Sequence, residues 1–329
     1  MTPDPTSHIM TSAAENMNAI RIHEVGGPEG MVYERAPRPR LASGDALVEV
    51  YAAALTPAEL TWKETWADHS GKSRLPTIPS HEVSGVIAAL GEDVADLEPG
   101  EAVYGLTAFS RDGAAAEFVA VRAADLASKP RSIGHLRAAA MPLSALTAWQ
   151  ALFDHGALTA GRRVLIHGAA GGVGSFAVQL ARAKGAEVIA VASGRHRDFL
   201  QGLGANTVVD YETARFEDVA RGVDLVLDTV GGETLRRSWA VLKPGGTLVS
   251  VAEPPPEQDA VRVGARGIFF IVKPNRAQLS ELARLTDAGK LRTFVSEVFA
   301  LDRAREAYET LLRGHLRGKI VVRVKDRAE

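Results

Sequence analysis

The feature that most constrains the fold is a glycine-rich turn in the stretch LIHGAAGGVGSFAVQLARAKG, residues 165–185. The run RVLIH before the glycines has the apolar composition of a buried strand, and an amphipathic, helix-like stretch follows them. Glycines let the main chain approach a pyrophosphate closely, and the first turn of a helix offers it N–H donors and a positive dipole. This order of elements therefore predicts a dinucleotide site formed by Ala170, Gly171, Gly172, Val173 and Gly174.

The spacing of these glycines departs from the usual G-x-G-x-x-G pattern, because Ala169 stands at the first glycine position and Gly168 one residue earlier. An ordinary glycine turn of an α/β domain is the alternative interpretation. Strand-like runs alternate with helical segments after the turn, as in EVIAVAS, TVVDY, VDLVLDTV and TLVSVA. Such alternation is typical of a parallel sheet with crossover helices, and it favours the dinucleotide site.

The end of the second strand of this region indicates which dinucleotide binds. NAD-binding chains place an acidic residue about 20 positions after the glycines, whereas this chain has Ser193 there. The nearby Arg195 and Arg197 carry planar guanidinium groups that suit a 2′-phosphate. We therefore predict NADPH as the cofactor, with these three residues at its adenosine end. A solvated surface position is the alternative for either arginine.

The composition excludes several other classes of function. Lys and Arg total 38 against 40 Asp and Glu, which leaves no basic field for nucleic acid. The chain has no cysteine for a disulfide, an iron–sulfur cluster or a thiolate zinc site. It contains no run of 18 apolar residues and no signal-peptide pattern. We expect a cytoplasmic protein that binds a small molecule rather than nucleic acid or a membrane, with a disordered polar extension over residues 1–16.

Strand-like runs dominate residues 17 to about 125, and the strand–helix alternation follows. Together the motifs of both regions resemble the medium-chain dehydrogenase/reductase superfamily, in its zinc-free NADPH:quinone oxidoreductase branch. Besides the glycine turn, the resemblance rests on MNAIRIHEVGGPE, LPTIPSHEVSGVIAALGEDVADLEPGEAVYG, AAAMPLSALTAWQAL, LGANTVVDY, DTVGG, LKPGGTLVSV and RGKIVVRV. It implies an α/β protein with a Rossmann doubly wound parallel sheet and a GroES-like β-rich catalytic domain. The implied bounds are 17–129, completed by 273–329, for the catalytic domain and 130–272 for the NADPH-binding domain.

Zinc-dependent relatives carry a metal-ligating histidine in a His-Glu pair, which is His81-Glu82 in this chain. A catalytic zinc needs three protein ligands, and the first ligand in those relatives is a cysteine. The matching stretch here, ALTPAELTW, has Thr56 and Pro57. We therefore expect no metal and interpret His81 and Glu82 as structural polar residues. A histidine–carboxylate site elsewhere is the alternative.

Without a metal to polarise a carbonyl, conjugated acceptors fit best, because quinones and α,β-unsaturated carbonyls accept a hydride directly and spread the resulting charge. The resemblance thus implies an NADPH-dependent, zinc-independent reductase of such acceptors, with its proton donor unknown. We predict a substrate pocket lined by Thr56, Trp62 and Trp66. The tryptophans lie four residues apart, which predicts one shared helical face. Ordinary core packing is the alternative for both.

The resemblance also implies cofactor contacts outside the glycine turn. Thr147 would lie near the nicotinamide ribose and the phosphates, and Tyr211 beside the adenosine. The other implied contacts lie at strand ends or before the last strand and are Val230, Gly231, Val251, Phe270 and Lys319. Sheet-core packing is the alternative for the apolar members, and a surface position before an edge strand is the alternative for the lysine.

Two other functions stay open for the same scaffold. One is an enoyl reductase acting on a carrier-tethered acyl chain, which a basic patch for the carrier would indicate. The other is a non-catalytic NADPH-binding redox sensor, which would bind the cofactor without turnover. The apolar run GIFFIV predicts a sheet that extends across a two-fold axis, and hence a homodimer.

Overall fold

The computed structural model describes residues 16–314 and 316–326, and its N-terminal part is rich in β-structure. The strands of this part are β1 (Asn16–Ile22), β2 (Met31–Pro37), β3 (Asp45–Ala54), β4 (Glu82–Leu90), β5 (Ala102–Leu106), β6 (Phe118–Arg122) and β7 (Leu126–Ser128). β1 and β2 form a separate antiparallel hairpin, while β3 pairs with both β4 and β6. Val48 and Val50 of β3 pack in one apolar core and Ala52 and Ala54 in another. Both faces of this central strand are therefore covered.

A short helix, α1 (Lys63–Trp66), lies between β3 and β4. Two further helices, α2 (His135–Ala139) and α3 (Pro142–Trp149), lead from the β-rich part to the rest of the chain. The sequence pattern predicts one helical segment up to Gly156, but the helix is interrupted before Pro142. Proline lacks the N–H that an interior helical residue donates, so it is tolerated in the first turn, where it begins α3. A π-helical turn over Gln150–His155 then carries the chain to Gly156.

The second part of the chain is a six-stranded parallel sheet. Its strands are β8 (Arg163–His167), β9 (Glu187–Ala192), β10 (Thr207–Asp210), β11 (Val223–Asp228), β12 (Leu242–Ser250) and β13 (Arg266–Phe269). The order is β10-β9-β8-β11-β12-β13 with every pair parallel. The order in which strands are added to the sheet reverses between β8 and β11, and a crevice for ligands opens at the carboxyl ends of strands around such a point. The predicted doubly wound sheet is confirmed.

Helices cover both faces of the parallel sheet. Those that follow its strands are α4 (Gly172–Ala183), α5 (Arg197–Leu203), α6 (Phe216–Val219), α7 (Gly232–Ser238) and α8 (Glu257–Val263). Successive residues of β8 point to opposite faces. Val164 and Ile166 accordingly pack in one core with Phe176 of α4, and Leu165 packs in another with Leu235 of α7. Apolar strands buried on both faces are what a covered parallel sheet requires.

The chain then returns to the β-rich sheet. It does so through α9 (Arg276–Asp287), β14 (Val295–Ala300), α10 (Ala304–Leu312) and β15 (Lys319–Arg323). The completed order is β14-β15-β3-β4-β5-β7, with β6 attached to β3. β15 is therefore an internal strand rather than an edge strand, because β14 and β3 flank it.

The predicted domain bounds stay predictions, but the sheets place limits on them. The β-rich sheet uses residues 45–128 and 295–323, and the parallel sheet uses residues 163–269. The predicted extension over residues 1–16 lies outside the described residues, except for Asn16, which begins β1. In the described part of the chain, none of the helices has the length and apolar character needed to cross a membrane.

Candidate cofactor and substrate site

A groove of about 430 Å³ lies where the carboxyl ends of the parallel strands meet the β-rich part. Ser193 and Tyr211, which follow β9 and β10, line it on one side. The glycine turn after β8 lines its middle, and Thr56 and Leu143 line it on the side of the β-rich sheet. The two parts of the chain are joined here, since the Gly318 N–H donates to the Ala170 carbonyl at 3.3 Å.

The glycine turn has the close approaches that its sequence predicts. Gly168 adopts a positive φ of 62°, so it takes the conformational role of the first glycine in the usual pattern although it stands one residue early. A Cβ on Gly174 would lie 2.6 Å from the Ala169 Cα and would clash with the Gly168 carbonyl oxygen. α4 begins at Gly172, and its N-terminus faces the groove. Residues 170–174 all line the groove, so main-chain N–H groups are available to an anion there.

The two predicted arginines of the adenosine end lie in different places. Arg195 lines the groove together with Ser193, and its Nε lies 3.3 Å from the His196 Nε2. Arg197 begins α5 and donates from its NH1 to the Val208 carbonyl at 3.1 Å. The structure therefore brings Arg195, but not Arg197, to the groove.

A second cavity of about 630 Å³ adjoins the groove at this end. The two share Tyr211 and Val230, and the second cavity extends to His167 and Phe216. The His167 and Phe216 rings pack edge to face with their centroids 4.7 Å apart. This cavity provides a partly apolar, aromatic-walled space directly beside the groove.

A buried ionic cluster forms the wall of the groove on the β-rich side. The Lys319 Nζ lies 2.5 Å from the Glu82 Oε2 and donates to the Thr56 Oγ1 at 3.0 Å. The other carboxylate oxygen, Glu82 Oε1, accepts the Leu143 N–H at 3.0 Å. Glu82 is 0% exposed, Lys319 6% and Thr56 9%. A surface position for Lys319 is thereby ruled out.

Lys319 also lies against the glycine turn. A Cβ on Gly172 would be 3.0 Å from the Lys319 Cδ. The Lys319 stem therefore packs on the first residue of α4, while its ammonium pairs with Glu82. The positive end of the α4 dipole favours a bound anion at this point of the groove.

A second buried carboxyl group lies close to this cluster. Glu59 Oε1 accepts hydrogen bonds from the Tyr308 hydroxyl at 2.7 Å and from the Ser80 N–H at 2.6 Å. Burial raises the pKa of Glu59 to about 7, although both hydrogen bonds and the charge of Lys319 act in the opposite direction. Close to neutral pH, this carboxyl group therefore exists in both protonation states.

The aromatic side chains next to Thr56 form a different arrangement from the predicted one. Trp62 packs against Phe109 with ring centroids 4.6 Å apart, and Phe109 packs edge to face on His81 at 5.3 Å. Trp66 instead packs against another core, which contains Leu60. The predicted shared helical face is wrong, because α1 begins at Lys63 and Trp62 precedes it in extended conformation.

His81 is a buried, neutral histidine. Its Nδ1 lies 2.8 Å from the Thr107 Oγ1. Burial, with a smaller effect of Arg74, lowers the pKa of His81 to about 3. The ring is therefore uncharged at neutral pH, which agrees with the predicted structural role.

Besides Arg197, four predicted cofactor contacts lie outside the lining of the groove: Thr147, Gly231, Val251 and Phe270. The Thr147 hydroxyl donates to the Leu143 carbonyl within α3 at 2.6 Å. The Phe270 ring packs on His155 with centroids 4.4 Å apart. Their contacts to a cofactor stay predictions.

Sequence reasoning missed two groove residues near the turn, Leu143 and Ser144, and the pairing of Glu82 with Lys319. A signal for the first two exists, since they follow Pro142 in the motif AAAMPLSALTAWQAL. The pairing has no local signal, because more than 230 positions separate the two charged residues in the sequence.

Two family profiles match the chain: the alcohol dehydrogenase GroES-like domain over residues 42–131 and the zinc-binding dehydrogenase over residues 203–322. The mitochondrial NAD(P)H oxidoreductase RTN4IP1 of Danio rerio is 33% identical over 326 residues, covering 86% of this chain and 84% of that protein. The chloroplastic NADPH-dependent alkenal/one oxidoreductase of Arabidopsis thaliana is 32% identical over 324 residues, covering 94% and 80%.

Among solved structures, the quinone oxidoreductase from Coxiella burnetii matches with a TM-score of 0.86 at 32% identity. The match covers 94% of this chain and 100% of that one. These similarities confirm the predicted family and the predicted class of oxidoreductase, and they agree with the two-part fold described above. The chain belongs to the medium-chain dehydrogenase/reductase superfamily, within its quinone oxidoreductase branch.

Proposed function

We propose that this protein uses NADPH to reduce quinones or α,β-unsaturated carbonyls by direct hydride transfer, without zinc. The observation that carries the proposal is the groove, which joins a glycine turn and Arg195 at one end to Thr56 at the other. When bound, NADPH supplies a hydride from C4 of its nicotinamide. In an enone, the β-carbon gains that hydride and the π electrons move to the carbonyl oxygen. In a quinone, one oxygen or a ring carbon gains it and the π electrons move to a carbonyl oxygen. The resulting enolate or hydroquinone anion takes a proton from water.

The residues of the groove fit NADPH. Gly172 and its neighbours present main-chain N–H groups, and Lys319 presents an ammonium, to the pyrophosphate. Arg195 is positioned for the 2′-phosphate, with Ser193 in place of the acidic residue that an NAD-binding chain would use. Tyr211 and Val230, which line both the groove and the second cavity, would hold the adenine. The nicotinamide would then lie at the Thr56 end.

The residues at that end do not fit a catalytic zinc. The position of the cysteine ligand is taken by Thr56, and the ammonium of Lys319 lies 2.5 Å from the Glu82 carboxylate. A cation placed there would meet a positive charge rather than a set of ligands. Across residues 16–314 and 316–326, no three His, Asp or Glu side chains are grouped as a metal site would require. No step of the proposed reaction therefore uses a metal.

The test follows NADPH absorbance with a panel of quinones and enones, with NADH and with added chelator as parallel arms. We expect oxidation of NADPH in preference to NADH, at a rate that the chelator leaves unchanged. Loss of activity with chelator would overturn the zinc-independent mechanism. Tight NADPH binding without oxidation by any acceptor would overturn the reductase, and it would favour the redox-sensor or carrier-dependent alternatives.

The preference for NADPH has its own pair of variants. Arg195→Ala should raise KM for NADPH about tenfold, equivalent to about 1.4 kcal/mol, and leave KM for NADH little changed. Arg197→Ala removes the same charge two residues away, where the side chain bonds to the Val208 carbonyl instead of lining the groove. It should leave both KM values close to wild type. Equal effects of the two variants would contradict the assignment of Arg195.

We also propose a homodimer formed through β13, one of the two outer strands of the parallel sheet. Phe269 and the following Ile271 are both exposed. Light scattering should give twice the chain mass for wild type and a smaller value for Ile271→Asp. A monomeric wild type would exclude the dimer. The cytoplasmic location stays a prediction.

A further inference from the structure

We propose that Thr56 is a catalytic hydrogen-bond donor, whose hydroxyl binds the substrate oxygen on which negative charge develops during hydride transfer. This inference rests on the proposed function, because it concerns the same groove and the same acceptors. From the sequence, Thr56 is predicted only to line the substrate pocket.

Thr56 lies at the end of the groove opposite Arg195. The adenosine contacts and the glycine turn account for the groove from Arg195 to Gly172. Thr56 lines the remaining end together with Leu55 and Leu143. There, the Thr56 hydroxyl is hydrogen-bonded to the charged ammonium of Lys319 rather than to a main-chain group.

The hydrogen bonds around the Thr56 hydroxyl decide where its proton points. An ammonium group can only donate, so the Thr56 oxygen accepts from the Lys319 Nζ at 3.0 Å and its own proton must point elsewhere. The acceptor within reach is the Glu82 Oε2 at 3.4 Å, which is long for an O–H···O bond. That oxygen already receives the Lys319 ammonium at 2.5 Å. A carboxylate oxygen accepts more than one hydrogen bond, so the hydroxyl keeps this long bond to Glu82 until a substrate oxygen at a shorter distance takes the proton's direction.

The Lys319 ammonium polarises the Thr56 hydroxyl. Lys319 and Glu82 are both buried, so the ammonium acts on the hydroxyl through a medium of low polarity, where charges interact more strongly than in water. A positive charge on the oxygen side of a hydroxyl makes its proton a stronger donor. The ammonium is in place before the hydride moves. Preorganised groups of this kind lower the barrier of reactions that form an oxyanion.

The backbone holds the donor in place. The Leu55 N–H donates to the Ile320 carbonyl of β15 at 3.1 Å, and the Thr56 carbonyl accepts the Glu59 N–H at 3.2 Å. Threonine is β-branched, so its side chain has few rotamers to choose from. Both neighbours of the hydroxyl, Lys319 and Glu82, belong to strands of the same sheet.

The chemical step balances without a proton from Thr56. For an enone, the hydride forms a C–H bond at the β-carbon, the C=C electrons move to the α-carbon and carbonyl, and the oxygen becomes an enolate. For a quinone, the corresponding oxygen becomes a hydroquinone anion. Thr56 donates a hydrogen bond to that oxygen and keeps its proton, and water protonates the product after release.

The test measures both an equilibrium and a rate. 4-Nitrophenol serves as the oxyanion probe, and absorbance titration in the enzyme–NADP⁺ complex gives its bound pKa. Thr56→Val removes the hydroxyl at nearly constant volume, and Thr56→Ser retains it. Thr65→Val is the matched control, because it removes another buried hydroxyl, bonded to the Glu59 carbonyl, outside the lining of the groove.

We expect the wild type, Thr56→Ser and Thr65→Val to lower the pKa of the bound phenol relative to the phenol in solution, and Thr56→Val to lose that effect. We expect kcat to fall about 10²-fold in Thr56→Val with the best acceptor, with little change in the dissociation constant of NADPH. An unchanged probe pKa in Thr56→Val, or an unshifted one in wild type, would overturn the role of Thr56. Absence of turnover by wild type with every acceptor would instead overturn the proposed function, which the titration distinguishes because it needs no turnover.

Discussion

Replacing Lys319 by methionine is the most demanding test of the buried cluster. Methionine preserves most of the volume of the stem but removes the ammonium that lies 2.5 Å from the Glu82 carboxylate. Glu82 is 0% exposed, so water cannot take the place of the ammonium without a rearrangement of the surrounding strands. The Leu143 N–H and the distant Thr56 hydroxyl remain as its donors.

The expected magnitude follows from this loss of compensation. Removal of one partner of a buried pair leaves an uncompensated charge, which costs about 3–5 kcal/mol. Replacing both partners by neutral groups costs far less, at about 1 kcal/mol or below. In Glu82→Gln/Lys319→Met, the glutamine oxygen can still accept the Leu143 N–H. The double variant should therefore be more stable than Lys319→Met alone.

The free energies of unfolding of the wild type, both single variants and the double variant form a double-mutant cycle. They are measured by urea denaturation followed by circular dichroism. We expect a coupling of at least roughly 2 kcal/mol between the two positions. NADPH binding should weaken in every variant that lacks the ammonium, including the double variant.

Two results would refute this reasoning. A loss below about 1 kcal/mol in Lys319→Met would show that the pair behaves as an exposed one. Equal losses in Lys319→Met and in the double variant would show that the damage comes from packing rather than from the unpaired carboxylate.

Three further perturbations follow from the geometry. Gly174→Ala places a Cβ 2.6 Å from the Ala169 Cα, so it should lower the free energy of unfolding in urea by about 1–3 kcal/mol and weaken NADPH binding. In its control, Gly202→Ala, the new Cβ meets no atom within 4 Å and should not destabilise the protein. Because the pKa of His81 falls from 6.5 to about 3 on folding, its contribution to stability should be lost as pH drops from 6.5 toward 3, and His81→Gln should show a flatter profile in the same assay. The pKa of Glu59 rises from 4.5 to about 7, so its contribution is present below 4.5 and is lost as pH rises to 7; Glu59→Gln should unfold at higher urea than wild type above pH 7, and the opposite order would contradict a protonated carboxyl.

Much of the fold was predictable, because its signals are local. The strand, glycine turn and helix around Gly171 occupy adjacent residues, and the parallel sheet follows from the alternation of apolar strands with amphipathic helices. The placement of Ser193 and Arg195 at the cofactor groove depends on the same local order. Arg197 illustrates the limit, because two residues along the chain decide whether a guanidinium lines the groove or bonds to the Val208 carbonyl.

The error over the tryptophans has a similar cause. Spacing of four residues predicts one helical face only if the helix covers both positions. α1 begins after Trp62, so the two rings separate into different cores. A shift of less than one turn in the position where a helix begins cannot be predicted from side-chain periodicity.

By itself, the sequence determined the family, the doubly wound sheet, the glycine turn and the class of cofactor, since each depends on residue types at short and regular spacing. Only the tertiary structure decided that Lys319 is buried against Glu82 and holds the Thr56 hydroxyl. These residues come from β15, β4 and the segment after β3, and they meet because the last strand returns to lie beside β3. Such long-range contacts arise from strand pairing across the whole chain, and no local pattern specifies them.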